Sequence, residues 1–165
     1  LHHYRRHLQG RNRQNKGIME AVILECGDFP KKEYPRELLR RADVIICCDR
    51  ALDTFLRHRD KIFKDLRDPD AIIGDMDSIS PKHLKEYSRI AIREEEQETN
   101  DQTKAFRYLL EHWPEVKTVH ILGATGKREA HTLGNLGQIM EYARLYGASG
   151  NPDKDRIYVD AVYDY

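Results

Sequence analysis

Short apolar runs alternate with segments of helical periodicity along most of the chain. The runs are rich in β-branched residues and lack polar alternation, which is typical of strands covered on both faces. They predict six strands: Ala21–Leu24, Val44–Cys48, Ala71–Ile73, Ile90–Ile92, Val119–Leu122 and Ile157–Val162.

The segments between these runs carry apolar residues at spacings of three and four, which predicts helices. The predicted helices are Pro35–Arg41, Ala51–Arg59, Pro81–Tyr87, Asp101–His112 and Leu133–Tyr146. Ser80 before Pro81 indicates a helix start, and Thr99 with Gln102 predicts a capping box at the fourth helix. Strands that alternate with helices predict a three-layer, Rossmann-like α/β domain with a mostly parallel sheet of about six strands.

Charge divides the chain into a basic start and a mildly acidic body. Residues 1–18 contain five of the 28 basic residues and no acid, and they lack the apolar stretch of a signal peptide. We expect a disordered basic leader there, followed by one domain over residues 19–165. That domain keeps 23 basic residues against 28 acidic ones, so we expect small-molecule partners rather than nucleic acid.

Three cysteines occur without a C-x-x-C spacing, which argues against a zinc site. Adjacent Cys47 and Cys48 are expected on opposite faces of the second strand, and Cys26 after the first. Buried, reduced thiols indicate a reducing compartment, and no stretch resembles a membrane span. We therefore predict a cytoplasmic protein that does not associate with membranes.

The third strand leads directly into paired acids, in the stretch "DAIIGDMDSIS". If the strand continues through Gly74, Asp75 and Asp77 project to the same side because strand side chains alternate. Two such carboxylates suit a hard divalent cation with room left for phosphate. A polar loop leaving a strand is the simpler interpretation of the pair by itself.

Other strand ends also carry polar residues, and parallel sheets bind ligands at the carboxyl ends of their strands. Asp49 follows the second strand, and Asp101 begins the helix after the fourth. The fifth strand leads into "LGATGKREAH", whose glycines and cations suit phosphate, although the spacing is not that of a Walker A loop. A metal clamp opposite a phosphate cradle indicates phosphoryl-type transfer. Asp101 could instead serve only the helix start, and His131 could be a capping or packing residue.

Three motifs in order resemble the catalytic domain of thiamine pyrophosphokinase (thiamin diphosphokinase). They are "IIGDMDSIS", similar to the family's G-D-x-D-S; "TNDQTKA", similar to T-D/N-D-x-x-K-A; and "LGATGKREAHTLGNL", similar to G-x-x-G-x-R-x-D-H-x-x-x-N. The resemblance implies Mg²⁺-dependent transfer of a pyrophosphoryl group from ATP to the hydroxyl of thiamine, giving thiamine diphosphate and AMP. It also implies a homodimer whose thiamine pocket lies between this domain and a C-terminal β-sandwich domain of the other chain.

Carried over by position, the resemblance assigns roles to single residues. Asp75, Asp77 and Asp101 would hold Mg²⁺, and Arg128 would stabilise the charge that develops on the β-phosphorus. Contacts to nucleotide and phosphates are assigned to Asp49, Ser78, Thr99, Asn100, Lys104, Gly123, Gly126, Lys127 and His131.

The chain departs from the family pattern at three places. Arg50 stands where the family has glycine, Ala130 stands where it has aspartate, and the β-sandwich domain is expected to be absent after Tyr165. We expect impaired activity from these changes. The alternatives are a pyrophosphokinase acting on 6-hydroxymethylpterin and a non-catalytic, truncated nucleotide-binding module.

Overall fold

Six parallel strands form one sheet in the computed structural model, which describes residues 19–94, 100–124 and 157–162. The strands are β1 (Met19–Leu24), β2 (Val44–Cys48), β3 (Ala71–Gly74), β4 (Ala91–Arg93), β5 (Val116–Leu122) and β6 (Tyr158–Ala161). Their order across the sheet is β4-β3-β2-β1-β5-β6, with every neighbouring pair parallel. The predicted α/β fold with a parallel sheet is confirmed.

In the described part of the chain, four helices cover the sheet: α1 (Glu33–Arg41), α2 (Ala51–Ile62), α3 (Pro81–Glu86) and α4 (Asp101–His112). A 3-10 turn at Ser88–Ile90 precedes β4. Phe106 and Leu109 of α4 pack on one face of the sheet, whereas Leu38 of α1 and Phe55 of α2 pack on the other. The fully buried strand residues between them make the three-layer core that the unbroken apolar runs predicted.

Most predicted bounds lie within one residue of those in the structure, while the start of α1 and the end of α2 differ by two and three residues. Strand β2 and helix α4 begin and end at the predicted residues, while β1 and β5 begin earlier, at Met19 and Val116. Strand β4 is shifted because the 3-10 turn occupies Ile90, where the prediction began the strand. The predicted leader 1–18 and the predicted helix Leu133–Tyr146 lie outside the described residues.

The predicted capping box is wrong, because the start of α4 is capped by Asn100. The Asn100 Oδ1 accepts the backbone N–H of Thr103 at 2.8 Å, and Asn100 has the extended backbone of an N-cap. Gln102 is only 1 % exposed, and its amide donates to the Glu25 carboxylate instead of reaching back to a cap. Thr99 lies outside the described residues.

Cys47 and Cys48 are buried in the two opposite core layers, as predicted. Burial raises the pKa of both thiols well above the ordinary value, which keeps them protonated. Cys26 follows β1 and is only partly buried, so the prediction of a buried thiol is wrong there.

A topological switch point separates β1 from β5. The chain adds β2, β3 and β4 on one side of β1 and then returns to add β5 on the other. The two strand ends stay close: the Glu25 N–H donates to the Leu122 carbonyl, and the Gly27 N–H to the Gly123 carbonyl, both at 2.8 Å. A Cβ at Gly123 would lie 2.6 Å from the Glu25 carbonyl oxygen, and its φ of 72° also requires glycine. Ligands of open α/β sheets bind at such points.

Candidate active site

Four acidic residues meet at the carboxyl edge of the sheet, and we call them the acidic cluster: Glu25, Asp49, Asp75 and Asp101. The first three directly follow β1, β2 and β3, and Asp101 is the first residue of α4. Helix α4 lies across these strands, with the Cys48 Sγ 3.8 Å from the Asp101 carbonyl oxygen. Residues far apart in the chain are therefore brought together by strand ends and one helix start.

Asp49 lies at the centre of this arrangement, in a left-handed backbone conformation with φ of 51°. Its N–H donates to the Ile73 carbonyl at 2.8 Å, and a Cβ at Gly74 would approach the Asp49 Cβ to 3.1 Å. Gly74 has φ of 152°, so both the space and the backbone favour glycine before the paired acids. The glycine of "GDMDS" thus lets β3 end directly against Asp49.

The Asp49 carboxylate lacks positive partners among the described residues. Burial raises its pKa to about 6; hydrogen bonding from Ser78 opposes that rise, while the charges of Asp75 and Asp101 and a hydrogen bond with Asp75 add to it. Its Oδ1 is buried and has no hydrogen-bond partner in the described part of the chain. An acceptor oxygen in this state favours the arrival of a cation or a donor group.

Asp75 and Asp77 do not project side by side from a strand, so that prediction is wrong. Strand β3 ends at Gly74, and the Asp75 Oδ1 accepts the Asp77 N–H at 3.0 Å. Met76 between them has φ of 72° and is buried, which bends the chain into a turn. The Asp77 side chain is 81 % exposed and lies 3.9 Å from the Arg93 guanidinium.

Glu25 is a candidate residue that the sequence reasoning missed. Its Oε2 accepts the Gln102 amide at 3.0 Å, and burial together with the Asp101 charge raises its pKa to about 7. The signal that could have found it is its position directly after β1, at the switch point of the sheet. Asp101 also has a raised pKa, because burial and the charge of Asp75 outweigh the attraction of Lys104.

Lys104 is a buried cation that affects the pKa of one of these acids. It is 6 % exposed, and its Nζ donates to the Glu94 carbonyl at 3.2 Å, beside the end of β4. It lies one turn along α4 from Asp101 and lowers the pKa of that carboxyl. Its contact to phosphate stays a prediction.

The remaining predicted site residues divide into two groups. Ser78 lies in the loop after β3 and is exposed; Asn100 caps α4; and Gly123 lies at the switch point. Arg50, which departs from the family pattern, has ordinary helical backbone at φ of −65°. Outside the described residues lie Thr99, Gly126, Lys127, Arg128 and His131.

The predicted Mg²⁺ ligands are only partly assembled. No group of three or more His, Cys, Asp or Glu side chains within 19–94, 100–124 and 157–162 is arranged to hold a metal ion. The charges nevertheless suit a divalent cation, because Asp49 and Asp101 have raised pKa values and one Asp49 oxygen has no donor. Hard cations bind such oxygens and complete their shell with phosphate and water. The acidic cluster therefore fits Mg²⁺ in charge and ligand type.

The sequence of residues 35–146 matches the family described as "Thiamin pyrophosphokinase, catalytic domain". This match extends over more than half of the chain. The chain belongs to that family. The resemblance carried by the three sequence motifs is thereby confirmed at the level of the family.

Solved structures give the same fold. Thiamin pyrophosphokinase from Candida albicans is similar with a TM-score of 0.62 and 20% identity, over 88% of this chain and 58% of that one. Yeast thiamin pyrophosphokinase has a TM-score of 0.61 and 18% identity, over 94% of this chain and 62% of that one. A probable thiamine pyrophosphokinase from Staphylococcus saprophyticus has a TM-score of 0.58 and 23% identity, over 88% of this chain and 66% of that one.

The chain therefore spans less than two thirds of the length of these solved relatives. The curated proteins include no match to it. None of the helices in the described part of the chain is both long and apolar enough to cross a membrane.

Proposed function

We propose that this chain is the nucleotide-binding and catalytic domain of a thiamine pyrophosphokinase. It would transfer a pyrophosphoryl group from ATP to the hydroxyl of thiamine, releasing thiamine diphosphate and AMP in a Mg²⁺-dependent reaction. The observation that carries this proposal is the convergence of Asp49, Asp75 and Asp101 at the switch-point edge of a sheet belonging to this family.

The acidic cluster is suited to a nucleotide only through a cation. Like-charged carboxylates at this edge would repel a triphosphate, and bound Mg²⁺ would supply the positive charge that joins the two. Asp75, Asp77 and Asp101 would hold the ion, with Asp49 as a further ligand or as the acceptor of a bound water's proton.

Several described residues support a position for phosphate at this edge. Lys104 is buried beside Asp101, so its ammonium can pair with a phosphate oxygen at little conformational cost. The start of α4 adds the partial positive charge of a helix N-terminus on the same side. Gly123 lets the backbone of β5 lie close against β1 at this edge. We propose that Arg128, Lys127, Gly126, Thr99, Asn100, Ser78 and His131 complete the phosphate contacts.

Thiamine would require a second surface. We propose a cytoplasmic homodimer in which a β-sandwich domain completes the thiamine pocket. Arg50 and Ala130 would reduce the rate.

The decisive experiment measures AMP release from ATP with and without thiamine and Mg²⁺. Thiamine-dependent AMP formation that disappears in Asp101→Asn supports the proposal, with Asp65→Asn as a matched control at an exposed position. Formation of ADP, or AMP formation with 6-hydroxymethylpterin in place of thiamine, would contradict it. A chain that binds Mg-ATP by calorimetry and releases no AMP would be a nucleotide-binding module without this activity.

A further inference from the structure

The loop between β3 and α3, residues 75–80, is held from one side by the first turn of α2. We call it the β3–α3 loop. The Asp53 Oδ2 accepts the backbone N–H of Ser80 at 3.0 Å, and the Asp53 Oδ1 lies 2.5 Å from the His83 Nδ1. One carboxylate thus contacts both the last loop residue and the first turn of α3.

The contact with Asp53 matters for the stability of helix α3, because this helix has little stabilisation of its own. It has six residues, none of them buried, and the Ser80 side chain makes no capping hydrogen bond. So short a helix is not stable by itself in water. Asp53 supplies part of a cap from a different helix, because its oxygen accepts the N–H of the N-cap residue Ser80, as the acid of a capping box does, and its charge suits a helix N-terminus.

The same turn of α2 also reaches the acidic cluster. Asp49 immediately precedes α2, and its carbonyl accepts the Leu52 N–H at 3.2 Å. Ser78, inside the β3–α3 loop, is close enough to the Asp49 carboxylate to lower its pKa. Polar groups that interact with the loop therefore come from Asp49, just before α2, and from Asp53 in its first turn.

Two buried apolar side chains anchor the loop in the core. Met76 is 3 % exposed and Ile79 is 5 % exposed, and both lie in the core layer that contains α1 and α2. Met76 has a left-handed backbone, which is unfavourable for its side-chain type unless neighbours fix it. The loop's shape is thus imposed by contacts with the layer that carries Asp53.

From this geometry we propose that Asp53 and His83 act as a positioning pair, which fixes the β3–α3 loop so that Asp75 and Ser78 meet Asp49 in the arrangement that binds a Mg-nucleotide. This inference rests on the proposed function, and it adds two residues to which neither the motifs nor the resemblance gave a role. Neither residue is proposed to touch the substrate. Their effect would be preorganisation, which lowers the ordering cost of binding.

The test compares nucleotide binding with and without Mg²⁺ by calorimetry, using a non-hydrolysable ATP analogue. We expect Asp53→Ala to weaken binding of the Mg-analogue about tenfold and to leave metal-free binding within about twofold, since the carboxylates act through the ion. Asp53→Asn keeps an acceptor for the Ser80 N–H and should recover most of the loss. His83→Gln should fall between the two.

Asp68→Ala is the matched control, because Asp68 also links α2 to α3 through Arg59 and the Tyr87 hydroxyl. It contacts the opposite end of α3, so it should change thermal stability without changing the Mg²⁺ dependence. If Asp53→Ala does not fold, Asp53→Asn and His83→Gln still report the effect.

The possible outcomes separate the two proposals. Wild-type protein without Mg²⁺-dependent nucleotide binding would refute the proposed function and the positioning pair with it. Wild-type protein with such binding, and Asp53 variants that change it no more than Asp68→Ala does, would refute the positioning pair alone. Equal losses with and without Mg²⁺ would also refute it, because they would indicate a general structural defect.

Discussion

The two ends of the parallel sheet use the same acidic residue type in opposite ways. At the amino end, Asp70 precedes β3, and its Oδ2 accepts the Ile45 N–H at 2.8 Å and the Arg67 guanidinium at 3.2 Å. Arg67 is 6 % exposed and also donates to the carbonyls of Ala42 and Asp43. At the carboxyl end, Asp49, Asp75 and Asp101 lie near one another, and the charges of Asp75 and Asp101 make ionisation of Asp49 less favourable.

The two ends of the sheet differ in the partners of their carboxylates. An acid that receives backbone donors and a buried guanidinium stabilises the fold, whereas acids that face one another reduce the stability of the empty protein. Such unfavourable charge is typical of sites that a ligand completes. The amino end is thus built for stability, and the carboxyl end keeps its charges for binding.

The largest expected effect tests the amino end. Arg67→Met should lower the free energy of unfolding by about 3–5 kcal/mol, because it leaves the buried Asp70 carboxylate without its cation. Urea denaturation would measure the loss. Arg41→Met provides the control, since Arg41 is 40 % exposed and its pair with Glu20 should contribute no more than about 1 kcal/mol. Equal losses of unfolding free energy in both variants would show that the buried pair of Arg67 and Asp70 contributes no more than an exposed ion pair.

The second prediction concerns the pH dependence of the carboxyl end. The folded protein raises the pKa of Glu25 from 4.5 to about 7, so the unfolded chain releases this proton first as pH rises. The stability contribution is fully present below pH 4.5 and is lost as pH rises toward and through 7. Glu25→Gln lacks this loss and should be more stable than wild type by about 2 kcal/mol at pH 8, and not at pH 4.

Thermal or urea unfolding at several pH values would measure that difference. Glu111→Gln, at an exposed position of α4, should show no such trend. A gain for Glu25→Gln that is the same at pH 4 and pH 8 would contradict a raised pKa at this position.

The third prediction separates stability from binding at Asp49. Asn tolerates the left-handed backbone that Asp49 adopts, and it removes a charge whose pKa the fold raises to about 6. Asp49→Asn should therefore stabilise the empty protein by about 1.5 kcal/mol at pH 8, an effect limited because the side chain is partly open to screening solvent. The same variant should weaken Mg-nucleotide binding. Loss of stability in the ligand-free state would show that the acids of this end do not repel one another.

Much of the molecule could be predicted because burial on two faces leaves a strong signal. Unbroken apolar runs gave the strands, and the acids directly after them gave most of the carboxyl edge. The turn at Asp75–Asp77 could not be predicted, since the left-handed backbone of Met76 depends on where its side chain packs. Glu25 escaped notice because its raised pKa comes from burial and from the charge of Asp101, which lies far away in sequence.

The start of α4 shows the same limit at the scale of one residue. Thr99 and Asn100 are both good N-cap residues, and Gln102 has the right spacing to complete a capping box with Thr99. The spacing could not indicate that the fold uses Gln102 to contact Glu25 after the end of β1. Tertiary contact therefore moved the cap by one residue.

The smallest expected effect tests that cap. Asn100→Ala should lower the free energy of unfolding by about 1 kcal/mol, because the Thr103 N–H loses its acceptor. Asn100→Asp keeps an acceptor oxygen and should retain the cap at neutral pH, although its added charge lies beside Asp101. If Asn100→Ala leaves stability unchanged in urea denaturation, Asn100 is not the cap. If Asn100→Asp caps the helix and still weakens Mg-nucleotide binding, then the carboxyl end is sensitive to the geometry of its acids as well as to their number. The amino end should lack this sensitivity, because its acids are each fixed by their own donors.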